Sequence, residues 1–216
     1  MSNPTVMDAV AYLKNQLPKD TGRPLAGDVV AALAIAEKQS KQEKQRYAYE
    51  QLLGQWQLGF VSGTQKKLPA RPGAKPITQL GKGRFLPRWI DISITYGPQQ
   101  ALLNSTLIAS QKNGDASELG AVVNKVALGG VSLQLSGPTR YWAKTNSLGF
   151  DFIYLRGAVG SLRLYDAPVR GGVEKAQAFA GLTLKDQAFF TFFLVEADYI
   201  AARGKGGGLA LWTRVG

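Results

Sequence analysis

The chain of 216 residues contains no cysteine and no histidine. Without cysteine it has neither disulfides nor thiolate chemistry, and without both residues the usual zinc ligand sets are excluded. Histidine is also the side chain that most often acts as a general base near neutral pH. The composition therefore favours a binding protein over an enzyme, and we expect no catalytic residues and no metal site.

Long apolar runs and acidic residues are scarce as well. No stretch approaches the roughly 18 consecutive apolar residues of a membrane-spanning helix, and residues 1–25 show no signal-peptide pattern. The 15 acidic residues face 26 basic ones, for a net charge of +11. Such an excess favours nucleic acid, an acidic protein or an anionic membrane as partner, or serves solubility alone. We expect a soluble or peripheral protein.

The first quarter of the chain has helical patterns. Asn3-Pro4 has the form of a helix start, and apolar residues follow at helical spacing up to Leu17, before Pro18. Asp28 is suited to cap a second helix that runs toward Gln51, either straight or with a bend, and Gly54 is suited to end it. We expect residues 1–54 to form a helical segment packed on the domain that follows.

From Trp56 the apolar period changes from helical to every second residue, which indicates strands. Turn-like separators follow at short intervals, among them Ser136-Gly137-Pro138 and Gly204 to Gly208. Many short strands with regular turns predict a mainly β fold, a sandwich or an up-and-down barrel, over residues 55–216. The predicted later strands are about 89–96, 102–110, 120–127, 131–136, 139–145, 149–156, 159–165, 188–196, 198–203 and 208–215.

One segment, residues 64–88, interrupts this pattern. It holds seven basic residues, four prolines and no acid, so we predict an irregular loop. Such a loop could dock on an anionic membrane, at roughly 1 kcal/mol per basic residue, or form a solvated insertion. The predicted docking residues are Lys66, Lys67, Arg71 and Lys75.

A barrel of about eight to ten strands can enclose one small ligand, bound by an apolar lining with a few polar groups. The alternation of apolar residues predicts that the lining includes Trp56, Leu58 and Phe60 on one strand and Phe150, Phe152 and Tyr154 on another. The same side chains would equally serve as a filled core. Residues 188–195 are apolar on both faces, which suits a strand covered on its outer side by the N-terminal helices.

Two late arginines complete the predicted ligand site. Alternation places Trp212 and Arg214 on one face of the last strand. Arg214 could stack on Trp56 and close one barrel end, as a cation–π pair worth about 0.5–2 kcal/mol, or point inward to hold a ligand's polar head. Arg203 competes for either role, and a solvated arginine is the alternative for both.

Two stretches of the chain resemble the plastid lipid-associated protein family, also called fibrillins or plastoglobulins, which includes cyanobacterial members. The run from Leu53 to Phe60 is similar to the family's Leu-x-Gly-x-Trp-x-Leu-x-Tyr/Phe strand. The run from Asp198 to Gly206 is similar to its Asp-Leu-Arg-Ile-x-Arg-Gly-x-x-Gly motif, although Ile200 stands where the family commonly has its first arginine. Trp56 and Arg203 carry this resemblance.

The resemblance implies a lipocalin-like barrel at a thylakoid or lipid-droplet membrane, or in the cytoplasm of a cyanobacterium. It implies binding or organising of a prenylquinone, a carotenoid or another lipid, without a catalytic residue, and it implies photosynthetic proteins as partners. The Gly-x-Trp motif and a late arginine are shared with lipocalins at large. A lipocalin-like lyase that attaches bilin chromophores to phycobiliproteins is therefore the main enzymatic alternative. Nucleic-acid binding is the third hypothesis, since the charge favours it and no motif does.

Overall fold

The computed structural model describes residues 3–17, 22–64, 66–68, 77–79, 81–99 and 119–216, with the backbone alone for 66–68, 77–79 and 173. The helices are α1 (Pro4–Leu13), α2 (Ala26–Gln42) and α3 (Gly172–Phe179). The strands are β1 (Gly54–Ser62), β2 (Lys66–Leu68), β3 (Ile77–Gln79), β4 (Gly83–Phe85), β5 (Asp91–Gly97), β6 (Leu119–Leu128), β7 (Val131–Trp142), β8 (Ser147–Phe150), β9 (Tyr154–Val159), β10 (Leu162–Pro168), β11 (Ala188–Val195), β12 (Tyr199–Gly204) and β13 (Leu209–Arg214).

Eight of the described strands form a closed antiparallel barrel. Their order is β7-β6-β5-β1-β13-β12-β11-β8, and pairing between β7 and β8 closes the ring. The remaining long strands, β9 and β10, extend the sheet from β7 on the outside of this ring. The predicted mainly β, lipocalin-like architecture with N-terminal helices is confirmed.

Both N-terminal helices start near their predicted positions and end earlier than predicted. The Asn3 side chain accepts a hydrogen bond from the Thr5 amide at 3.0 Å, which caps α1. Helix α1 ends at Leu13, before Asn15 takes a φ of 60°. Helix α2 ends at Gln42, and Lys44 with a φ of 52° turns the chain out of the helical path. The chain reaches β1 through a short 3-10 turn, Tyr49–Leu52.

Two predictions of strand boundaries are wrong, one at β7 and one at residues 149–156. The predicted strands 131–136 and 139–145 are one strand, because Gly137-Pro138 lies where β7 changes neighbour rather than at a turn. The first half of β7 pairs with β9 and the second half with β8. Conversely, the predicted strand 149–156 is divided by residues 151–153. The predicted strand 102–110 lies outside the described residues.

The basic segment is more regular than predicted. Strands β2 and β3 pair with each other, and β4 pairs with the last residues of β1. Arg71 and Lys75 lie outside the described residues, and only the backbone of Lys66 and Lys67 is described. Docking of this segment on a membrane therefore stays a prediction.

Two separate apolar clusters flank the barrel wall. One lies between the N-terminal helices and the outer face of the barrel, and the other fills the inner face. Strand β11 supplies both, since Phe192 belongs to the inner cluster and Phe193 to the outer one. The prediction that β11 is covered on both faces is confirmed.

Within the described ranges, no helix combines the length and apolarity needed to span a bilayer.

Candidate functional site in the barrel

Trp56 and Arg214 close one end of the barrel. They are cross-strand partners on β1 and β13, and the Arg214 guanidinium lies 3.9 Å from the centre of the indole ring. Arg214 also donates hydrogen bonds to the carbonyls of Leu53 (3.0 Å), Gln51 (3.4 Å) and Ala197. Of the two roles considered for Arg214, the structure shows stacking. The guanidinium is held by the protein's own carbonyls, which gives it a structural role at this end. A contact of Arg214 with a ligand stays a prediction.

The backbone conformation at Gly54 explains why the Gly-x-Trp motif begins with glycine. Its φ is +115°, a conformation that side chains rarely adopt. A Cβ at this position would lie 2.6 Å from Nη1 of Arg214. The glycine is therefore required by the arginine that crosses it. The Trp56 indole nitrogen, two residues on, donates to the Leu52 carbonyl at 2.8 Å and ties the 3-10 turn to the barrel.

Tyr49, Tyr96 and Tyr141 lie near this closed end, and the hydroxyl of Tyr96 has no hydrogen-bond partner in the part of the chain that the structure describes. The Tyr141 hydroxyl donates to the Tyr47 carbonyl at 2.8 Å, and the Tyr49 hydroxyl lies 3.3 Å from the Thr139 hydroxyl. The Tyr96 hydroxyl is buried without a hydrogen-bond partner among the described residues, on a residue 1% exposed. Burial raises the pKa of Tyr96, which keeps the phenol neutral and able to donate.

Tyr96 was not among the residues predicted to line the barrel. Its sequence pattern was informative, because Ile92, Ile94 and Tyr96 alternate along β5 as interior residues do. Ile94 pairs across the strands with Trp56, so Tyr96 faces the same inner wall.

Toward the other end of the barrel, the inner apolar cluster becomes partly exposed. We call its partly exposed members at this end the rim cluster: Leu58, Val61, Phe152 and Phe190. Buried Phe150 lies next to the cluster, with ring centres 5.3 Å from Phe152 and 5.2 Å from Phe190. The structure thus brings Trp56, Leu58, Phe150 and Phe152 into one inner cluster, as the predicted lining requires.

Phe60 does not belong to this lining. The β1–β13 register shifts between Leu58 and Phe60, so the alternation of facing is interrupted there. At Gly59, a Cβ would collide with the Leu13 side chain of α1. Phe60 consequently points outward into the helix-side cluster, 5.0 Å from the ring of Phe85.

Tyr154 and Arg203 also lie outside the lining. Tyr154 is on β9, beyond the closed ring, and hydrogen-bonds with Asp166 of β10. Arg203 is on the outer face of β12, where it binds Glu37 of α2. Neither residue therefore lies on the inner wall, although both were predicted to line the barrel.

Glu37 and Arg203 form the main polar contact between helix and barrel. The Arg203 Nε lies 2.9 Å from both carboxylate oxygens, and Lys41 donates to Glu37 at 2.7 Å. Burial raises the pKa of Glu37, but the hydrogen bonds from Arg203 and Lys41 outweigh it and lower the pKa overall. The motif that suggested a ligand contact therefore attaches α2 to the barrel.

Two large clefts occur on the outer surface. One of about 420 Å³ lies between α1 and β1, and its wall includes Tyr12, Gln57 and Arg88. The other, of about 470 Å³, lies where α2 meets β8 and β11. Among the described residues, no group of acidic side chains is arranged to hold a metal ion. The outer cleft beside Gln57 is the main structural competitor of the barrel interior as a binding site.

Comparison with known proteins leaves the fold and the local geometry as the guides to function. No protein-family model, curated protein or solved structure matches this chain.

Proposed function

We propose that the protein binds a hydrophobic, carbonyl-bearing small molecule within the barrel, without catalysis. A prenylquinone fits this description, and a carotenoid or another lipid with a carbonyl group is the wider class. The observation that carries the proposal is the Tyr96 hydroxyl, a donor on the apolar inner wall for which the described residues offer no acceptor. The resemblance to plastid lipid-associated proteins adds a setting at a photosynthetic membrane.

The energetics favour a ligand that pairs with Tyr96. A buried polar group without a partner costs about 1–3 kcal/mol. A ligand carbonyl that accepts from this hydroxyl removes that cost, while its apolar part is buried at about 25 cal/mol per Å². The rim cluster supplies the apolar contacts at the other end, and such a site would orient the ligand with its carbonyl toward Trp56.

Equilibrium dialysis with a decyl-substituted benzoquinone tests the proposal. Tyr96→Phe removes the donor alone and should weaken binding about tenfold, the effect of one hydrogen bond of about 1.4 kcal/mol. A saturated hydrocarbon probe of equal length should bind both proteins equally. Equal quinone affinity for the two proteins would argue against the role of Tyr96.

Two tryptophan substitutions decide between the interior and the outer cleft. Val61→Trp enlarges a member of the rim cluster, whereas Gln57→Trp fills the cleft between α1 and β1. Loss of quinone binding in Val61→Trp with retention in Gln57→Trp supports the interior. The reverse result would move the site to the outer surface and overturn the proposal.

The natural ligand is best found by mass spectrometry of the protein purified from its native host. A bound quinone or other carbonyl-bearing lipid would support the proposal. A bound bilin would overturn it and favour the chromophore-lyase alternative instead.

A further inference from the structure

The sheet beyond the barrel carries an unusual concentration of exposed apolar side chains. It consists of the β6–β7 hairpin and the β9–β10 hairpin beside it. Seven large apolar residues here are 45% to 65% exposed. One of them, Leu164, lies at the register shift of β10. The other six are Leu128, Val131, Leu133, Val159, Leu162 and Tyr165. A cluster of this size marks an interaction surface, since single exposed apolar residues are normal but contiguous patches are not.

Strand register places these six side chains on one face. Leu128 pairs with Val131, Val131 with Val159, and Val159 with Leu162, forming one row across four strands. Leu133 and Tyr165 both pair with Gly157 in the next row on that face, two residues along. We call this surface the tip face. The opposite face is polar, with Lys125, Gln134, Arg156 and Asp166 in one row.

The ends of the two hairpins are uncharged and lie side by side. The Gly160 amide donates to the Gly130 carbonyl at 2.7 Å, which joins the two turns. No charged residue occurs in 126–133 or in 157–162. Lys125, Arg156 and Arg163 border these stretches. Lys125 lies four positions before Gly129, which corresponds to about 13 Å along the strand.

This arrangement matches the layers of a membrane surface. Apolar tips suit the acyl-chain region, and cations about 13 Å behind them suit anionic headgroups. The acidic Asp166 on the polar face is paired with Arg156 and Arg163, at 3.1 Å and 2.7 Å. The charge pattern thus favours a lipid surface over an apolar protein groove.

The tip face also continues the inner wall of the barrel. Residues two apart on a strand share a face, so Leu133, Leu135 and Gly137 lie on the same face of β7. Gly137 pairs with Val122, which is fully buried in the inner cluster. A lipid surface at the tips would therefore lie next to the same apolar wall that lines the barrel.

A second copy of the chain is the less suitable occupant. The outer edge of the sheet is β10, which contains a register shift after Arg163 and ends in Pro168. Bulges, charges and proline are the devices by which sheet edges resist pairing with another strand.

We propose that the two hairpin ends insert into an anionic lipid bilayer, with the tip face against the acyl chains and Lys125, Arg156 and Arg163 at the headgroups. Insertion by an amphipathic surface typically reaches about 5–10 Å below the headgroups. The site is separate from the predicted docking residues Lys66, Lys67, Arg71 and Lys75. The inference stands on the tip face alone and does not require a ligand in the barrel.

A matched pair of variants on β7 tests the proposal. Val131→Glu/Leu133→Glu places two charges on the tip face, and Ser132→Glu/Gln134→Glu places the same two charges on the polar face. Co-sedimentation with vesicles of phosphatidylcholine and phosphatidylglycerol, the latter as the anionic lipid, measures binding. We expect the tip-face variant to lose at least about tenfold in affinity, because charges on a lipid-facing surface are costly. The polar-face variant should lose clearly less.

Three results would overturn the proposal. Equal losses in both variants would assign binding to net charge alone. Full binding by the tip-face variant, with loss on neutralising Lys66, Lys67, Arg71 and Lys75, would assign docking to the basic segment. A wild-type dimer in light scattering that the tip-face variant abolishes would assign the surface to a second copy. Equilibrium dialysis of the tip-face variant with the quinone measures the proposed ligand site separately from membrane binding.

The absence of cysteine allows a direct test of insertion. A polarity-sensitive nitrobenzoxadiazole label on Val131→Cys should shift its emission to the blue when the same vesicles are added. The same label on Lys38→Cys, exposed on α2, should not shift. An unshifted label at residue 131 on vesicle-bound protein would contradict insertion of the tips.

Discussion

Arg203 on β12 holds both carboxylate oxygens of Glu37 on α2, at 2.9 Å from its Nε. Both side chains are largely buried, at 17% and 9% exposure. Glu37→Gln removes the charge of one partner, and breaking a buried pair in this way is costly. We expect a loss of about 2–3 kcal/mol in the free energy of unfolding at pH 7, measured by urea titration. Glu43→Gln on the exposed end of the same region is the control and should change stability little.

The same pair predicts a pH dependence. Because the pKa of Glu37 is lowered by folding, its contribution is full above the unfolded carboxyl pKa, near about 4.3. It is lost as pH falls through the lower folded pKa. The stability difference between wild type and Glu37→Gln should therefore be constant from pH 7 to about 5 and shrink below about 4. A difference that stays constant down to pH 3 would contradict this assignment.

Arg214 should matter more for stability than its surface position suggests. Arg214→Ala removes the cation over Trp56 and the donors to three carbonyls, and we expect a loss of about 2–3 kcal/mol. Arg214→Lys should recover only part of it, because an ammonium lacks the planar, forked geometry. Arg163→Ala, an exposed pair with Asp166, is the control, and its loss should stay within about 1 kcal/mol. Equal losses for both arginines would show that the stacking contributes nothing special.

Gly54→Ala tests whether the motif glycine is required by Arg214. The added Cβ meets the guanidinium, and the φ of +115° is strained for alanine. We expect a loss of at least about 2 kcal/mol. Gly27→Ala is the matched control, since nothing lies within 4 Å of its Cβ position and it is in α2. There alanine should be neutral or stabilise by up to about 1 kcal/mol. A tolerant Gly54 would mean that Arg214 can move aside freely.

Tyr96 and Tyr141 should respond oppositely to loss of their hydroxyls in the ligand-free protein. Tyr141→Phe leaves the Tyr47 carbonyl without its donor and should cost about 1–3 kcal/mol. Tyr96→Phe removes a buried hydroxyl that bonds to none of the described residues, and the change should be neutral or slightly stabilising. Thermal unfolding of protein stripped of lipid measures both. A large loss in Tyr96→Phe would indicate that the phenol already has a partner.

The family resemblance added the lipocalin-like barrel to a choice between sandwich and barrel, and the sequence left Arg214 open between stacking on Trp56, a ligand contact and a solvated side chain. The mainly β fold and the doubly covered β11 were predictable from sequence period alone. These features depend on alternation and on local turn chemistry, which short windows of sequence contain. The boundaries of β7 were not predictable in this way. Gly137-Pro138 is a turn signal in sequence, but in the structure the strand continues through it and changes its pairing partner there. That change depends on the distant 151–153 segment.

The errors in the candidate site have a common physical origin. Phe60 leaves the lining because a register shift follows Leu58, and a shift reverses every later facing on the strand. Arg203 and Tyr154 obey alternation, but only tertiary structure tells which face of β12 is covered by α2 and that β9 lies beyond the ring. In the sequence, Tyr96 has the pattern of an ordinary core residue. Only the structure reveals that its hydroxyl has no hydrogen-bond partner among the described residues.

The pairing of β1 with β13 has a consequence for how the protein matures on the ribosome. Strand β13 leaves the ribosome about 150 residues after β1, a delay of roughly 8–30 s at ordinary rates of translation. During that interval one edge of β1 has no permanent neighbour, and Trp56 has no cation above it. Nascent chains therefore pass through a stage with an exposed apolar strand edge, which chaperones bind readily.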